Sequence, residues 1–187
     1  SFRLDDILRL LPKSNLLVGG KITGKANCPH VLKNGTLDAD LYAESFSLNH
    51  KVLGNLNAYT QWDGKRRALE LKGTLLSLPE SGKPTDVLAT ASGDYMPFTD
   101  SLNLDIDAQH VNVAFLEPYL NTVIQNLDAV ASGKAKLIGP MKKLGIYASV
   151  LAEQASFNIG MFNTTYTFSD AIFLTPTQIS FDNVKVS

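Results

Sequence analysis

Leu102-Asn103-Leu104-Asp105-Ile106-Asp107-Ala108-Gln109 places an apolar residue at every second position and a polar one between. Successive side chains of a pleated strand point to opposite faces, so this stretch reads as a strand with one greasy and one wet side. The same period of two recurs along the chain. Leu37, Ala39, Leu41 and Ala43 alternate with Asp38, Asp40, Tyr42 and Glu44, while Ile146, Ala148, Val150 and Ala152 share one face. Ala135 and Leu137 oppose Lys134 and Lys136, and Leu69 and Leu71 oppose Glu70 and Lys72. Asp63-Gly64 reads as the turn of a hairpin whose first strand ends Tyr59-Thr60-Gln61-Trp62. Between Ala43 and Phe46 the apolar phase slips by one residue, which predicts a β-bulge or a strand break. With turn signals about every ten residues, the pattern gives roughly ten to twelve short strands and a mainly β, antiparallel architecture.

Two segments have helical period instead. Leu116, Tyr119, Leu120, Val123, Ile124 and Leu127 fall on one helix face, with Pro118 suited to a first turn. Leu4, Ile7, Leu8 and Leu11 form a shorter stripe that Pro12 stops. One or two short amphipathic helices are therefore expected beside the strands. Each of these stripes also opens a longer pattern that occurs twice. Gly20-Lys21-Ile22-Thr23-Gly24, Gly35 to Leu41, Ser45-Phe46-Ser47-Leu48 and Tyr59-Thr60 have counterparts 107 to 113 residues later in Gly133 to Leu137, Gly145 to Leu151, Ser156-Phe157-Asn158-Ile159 and Tyr166-Thr167. The repeat divides the chain into a helix-plus-strands module at 1–109 and a second at 110–187, continuous with the first.

Composition narrows the function classes. The 187 residues carry 17 basic and 18 acidic side chains, a net charge of -1. Near-balance argues against nucleic-acid binding, which needs a basic excess or a basic face, and Lys65-Arg66-Arg67 beside Gly64 reads as a hairpin turn. Apolar residues make up 44% and charged residues 19%, a globular chain with a greasier surface than usual. The single cysteine, Cys28, excludes an internal disulfide and a cysteine-rich zinc site. No run of about 18 uncharged apolar residues occurs. The start at Ser1-Phe2 and the end on Val184-Lys185-Val186 suggest a piece of a longer protein, whose membrane anchor would lie outside it.

The motifs that could carry chemistry are weak. Gly19-Gly20-Lys21-Ile22-Thr23-Gly24-Lys25-Ala26 nearly matches a phosphate-binding loop, but Ala26 lacks the required hydroxyl and Cys28-Pro29-His30 follows instead of a helix. Cys28 and His30 are too few for a metal site, and His50 and His110 are isolated. Asp38 with Asp40, and Asp105 with Asp107, share strand faces as a cation or glycosidic site would require, but they lie opposite the apolar residues, as solvated carboxylates do. Asn34-Gly35-Thr36 and Asn163-Thr164-Thr165 are sequons, the first also a hairpin-turn signal. Phe157, Phe162, Tyr166, Phe168 and Phe173 cluster late in the chain, as core or as an apolar lining. No catalytic residue, metal site or cofactor is predicted.

From Leu116 to Val186 the order of elements resembles the C-terminal region of TamB-like (translocation and assembly module) proteins of the AsmA-like group of bacterial envelope proteins. The amphipathic stripe is followed by Ala131-Ser132-Gly133-Lys134-Ala135, Ile138-Gly139-Pro140, Phe162-Asn163-Thr164-Thr165-Tyr166 and Ile179-Ser180-Phe181-Asp182-Asn183-Val184. Residues 2 to 106 resemble the preceding module. Met141-Lys142-Lys143-Leu144 departs from the family pattern, which has a proline there. The resemblance implies an elongated antiparallel sheet curled into a taco- or gutter-like groove with an apolar interior. It further implies an inner-membrane-anchored protein in the periplasm of a diderm bacterium, working with an outer-membrane β-barrel partner in outer-membrane biogenesis, without catalytic residues.

A trough of this kind would shield phospholipid acyl chains without directional bonds, since each buried methylene contributes about 0.8 kcal/mol. Polarity alone nominates its lining as Leu37, Ala39, Leu41, Leu102, Leu104, Ile106, Ile146, Ala148, Val150, Ile172 and Leu174. The expected role is non-enzymatic lipid conduction between inner and outer membrane. The alternative is a protein-interaction module whose sheet edges accept a strand from outer-membrane protein clients or the barrel partner.

Overall fold

The alternating segments pair in simple succession. The computed structural model describes residues 2–3, 17–27, 37–81, 83, 85–117, 124–159, 164–175 and 178–181. Eleven strands are β1 (Phe2–Arg3), β2 (Val18–Asn27), β3 (Asp38–Leu48), β4 (Lys51–Asp63), β5 (Ala68–Leu76), β6 (Val87–Met96), β7 (Ser101–Asn112), β8 (Ile124–Pro140), β9 (Gly145–Ile159), β10 (Thr164–Thr175) and β11 (Gln178–Phe181). Each is hydrogen-bonded to the next in one antiparallel sheet, which is open because its end strands β1 and β11 do not pair. The architecture is mainly β, as the period of two requires. β7 runs without a break across residues 109 and 110.

Local chemistry makes the turns. Asn49 and His50 both have positive φ, 47° and 65°, the twist that a two-residue hairpin between Leu48 and Lys51 needs. At the β4–β5 turn, Asp63 Oδ1 accepts from the backbone N–H groups of Lys65 (2.8 Å) and Arg66 (3.1 Å). The expected phase slip is a bulge: pairing shifts between Ala43 and Phe46, with Ser45 at φ 52°. Similar shifts accompany His110 (φ 57°) in β7 and Asn126 (φ 54°) in β8. These three bulges lie towards the rim that carries Asn49-His50, so strand bending is concentrated there.

That rim is also tied across the sheet. Asn49 Nδ2 donates to the Phe115 carbonyl at 2.8 Å, while its Oδ1 accepts from Leu17 N–H at 3.0 Å. In a flat sheet β4 and β7 would stand about 14 Å apart, three steps of about 4.8 Å. The bond therefore brings the β7–β8 connection back across the ends of β5 and β6, as a curled sheet requires. Nearby, Ala129, Ala152 and Ala155 form a buried cluster against Val113, Leu127 and Ile172.

Elsewhere the sheet is a single layer. Among the described residues no large side chain is fully buried. The surface is 12618 Å², against about 8,800 Å² for a compact monomer of this mass. Among the described residues no second layer covers the apolar face.

The expected helices fare differently. The stripe Leu4 to Leu11 lies outside the described residues, as do 118–123 of the longer one. Its end is corrected: Ile124 and Leu127 belong to β8, where Ile124 pairs with Ile159. Asn126 takes the left-handed conformation that ends helices, and its N–H donates to Glu117 Oε1 at 3.0 Å. Leu127 then gains burial against the alanine cluster. The helical turns described in full are two three-residue 3-10 turns, Ala114–Leu116 and Met141–Lys143.

Candidate functional site

Directly paired residues of an antiparallel ladder share a face, so the register itself maps the surface. One row passes through every strand: Phe2, Ile22, Ala43, Leu56, Leu75, Ala89, Ala108, Gly133, Val150, Ile172 and Phe181. The adjacent row on the same face runs Gly24, Leu41, Ala58, Gly73, Ala91, Ile106, Ala135, Ala148, Leu174 and Ile179. Neither contains a polar side chain. Ten inter-strand steps of about 4.8 Å make the longer row roughly 48 Å, about three times the thickness of one bilayer leaflet's hydrocarbon.

All of the nominated lining residues belong to this face. Ala39, Leu104 and Ile146 register in a third row, Leu102 lies one step further, and Leu37 extends β3, its carbonyl accepting from Trp62 N–H at 2.8 Å. Ala39 is buried, Ile146 exposed, and the rest half-buried. The structure adds residues that polarity did not nominate. Ile22, Leu56, Ala58, Leu71 and Leu75 join the face through β2, β4 and β5, and Ala89, Ala91 and Gly93 through β6. Leu69 and Leu71 showed the alternation, but β6 is too rich in small residues to show it. Within the third row Thr60 is the polar member, its Oγ1 buried without a hydrogen-bond partner.

The opposite face holds the charges. Lys136 Nζ donates to both oxygens of Asp105, at 2.9 and 3.1 Å, and Lys134 is registered opposite Asp107. Asp40 is registered between Lys25 and Tyr59. These carboxylates are strand-face ladder partners. At the β4–β5 turn Arg66 holds Asp63 (2.7 Å), Asp94 (2.8 Å) and Glu70. Its hydrogen bond lowers the Asp63 pKa, and Asp63 in turn raises that of Arg66. Tyr95 donates to Asp100 at 2.9 Å, and desolvation first, then this bond, raises its pKa. An open concavity of about 420 Å³ over β2–β5 belongs to this polar side, lined by Thr23, Tyr42, Tyr59 and Lys72 among others.

The remaining motifs carry little. Gly19 to Ala26 is extended within β2 and paired to β3, with no phosphate cradle. His50 sits in the hairpin turn, and His110 Nε2 lies 3.5 Å from Glu153. Cys28, His30, Asn34-Gly35, Phe162 and Asn163 lie outside the described residues. Among the described residues, no group of three histidines, cysteines or acids could hold a metal ion. The late aromatics divide: Phe157 registers with Tyr166, whereas Phe173 lies on the charged face.

Fold and surface define a class: a single-layered, open antiparallel sheet with one continuous apolar face. Neither the family models, nor the curated proteins, nor the solved structures contain a match to this chain.

Proposed function

We propose that the chain is a non-enzymatic segment of a TamB-like, AsmA-like envelope protein, conducting phospholipid acyl chains along its apolar face. The setting of this reading is the periplasm of a diderm bacterium, with the membrane anchor and the outer-membrane β-barrel partner beyond the segment. One observation carries it: an apolar row runs unbroken through all eleven strands. Such a row offers an acyl chain equivalent contacts at each step, about 0.8 kcal/mol per methylene and none of them directional. The chain stays out of water and can still slide. Alanines and glycines along the rows leave space above the floor.

The test places photo-crosslinking residues at Leu104 and Ala148 on the apolar face, and at Asp107 and Ser149 on the other. Phospholipid adducts at the first pair alone support conduction. Adducts at all four, or protein adducts only, overturn it.

A second reading rests on the edges. β2 is ten residues long, and among the described residues β1 pairs with only Lys21 and Ile22 of it. An edge left unpaired there would accept a strand from an outer-membrane protein client or the barrel partner.

A further inference from the structure

The charged face changes character along the sheet. In the first half, Lys25, Asp38 and Tyr42 occupy the outward positions of β2 and β3. In the second half, Ile138, Tyr147 and Leu151 occupy outward positions of β8 and β9. These three are apolar and exposed, Ile138 40%, Tyr147 46% and Leu151 49%, as is Phe173 on the adjacent β10, 43%. Four such side chains on three neighbouring strands, interleaved with Lys134, Lys136 and Ser149, give the side facing away from the apolar rows a mixed apolar and basic surface.

Charge says what covers it. Lys142 and Lys143 are exposed in the turn joining β8 to β9, four residues after Ile138 and four before Tyr147. Among the described residues no ion pair holds either of them, whereas Lys136 is held by Asp105. Asp128, Glu153 and Asp170 lie towards the opposite end of these strands. An aromatic and aliphatic patch with two free lysines at one rim matches an anionic bilayer surface, where rings sit at headgroup level and ammonium groups meet phosphates.

We propose that the outer face of β8–β10, with Lys142 and Lys143, docks on an anionic phospholipid membrane surface. The inference is independent of conduction, since it uses the face that conduction leaves free. The test is flotation of the whole chain with phosphatidylcholine vesicles with and without phosphatidylglycerol. Binding should require phosphatidylglycerol and weaken as salt is added. Lys142→Glu with Lys143→Glu should weaken it roughly thirtyfold or more, two lysines' worth of attraction. Tyr147→Ser with Phe173→Ser should also weaken it, while Asp38→Ser and Tyr42→Ser leave it unchanged. Circular dichroism checks that each variant keeps its strands. Tyr147→Trp in a Trp62→Phe background adds a second readout, a blue-shifted emission on vesicle addition. Failure of the chain to float, equal binding by the lysine variant, or emission unchanged by vesicles overturns the proposal. Capture of a protein in the absence of vesicle binding would do so too.

Discussion

At the scale of single residues, Thr60 shows what an apolar surface does to a hydroxyl. Its Oγ1 is buried without a hydrogen-bond partner, so it loses water and gains nothing. Thr60→Val keeps the branched shape that strands favour and removes the orphan group. It should raise stability by about 1 kcal/mol in urea titration; a fall would mean that the hydroxyl is bonded after all. Asp63 is the opposite case, a carboxylate stabilised in its charged form. The hydrogen bond from Arg66 lowers its folded pKa below the unfolded value, so the turn's stabilisation is present above the ordinary carboxylate range. It is lost as the pH falls through the lowered value. Protection of the Lys65 and Arg66 amides, measured against intrinsic exchange at each pH, should therefore be present near neutrality and fall in acid, and Asp63→Asn should abolish that dependence.

At the scale of elements, alternation in Leu102 to Gln109 was enough to give β7 and its greasy face, and Asp63-Gly64 marked the β4–β5 turn. Pairing partners were not legible, because period two states a side chain's face but not its neighbour across the ladder. β6 was opaque for a related reason: Ala89, Ala91 and Gly93 pack closely but carry little hydropathy contrast. The end of the Leu116 to Leu127 stripe misled because Ile124 and Leu127 suit helix and strand alike, and Asn126 and tertiary burial decided between them. Close approach explains one glycine directly. Gly133 has φ 147°, and an added Cβ would stand 2.3 Å from the Ser149 carbonyl oxygen. Gly133→Ala should part β8 from β9 and cost more than about 2 kcal/mol, read as a fall in melting temperature with lost exchange protection around Val150. An unchanged melting temperature would show that the strands relax there.

At the scale of the whole molecule, a face that none of the described residues covers changes what unfolding exposes. An unfolded chain of this mass presents about 29,400 Å². The folded sheet already shows 12618 Å², so unfolding exposes about 17,000 Å² where a compact domain would expose about 21,000 Å². Because the denaturant slope scales with newly exposed area, the monomer's urea m-value should be about a fifth below that of globular domains of equal length. The same bare face predicts the response to a ligand: a fatty acid that lies along the rows binds only the folded sheet. It should raise the unfolding midpoint in proportion to the logarithm of its concentration. An ordinary globular m-value with no stabilisation by fatty acid would mean that the apolar rows are covered by the protein itself, and acyl chains would then have nowhere to lie. A low m-value with fatty-acid stabilisation that Ile106→Asp abolishes would tie the binding to the row running through β7.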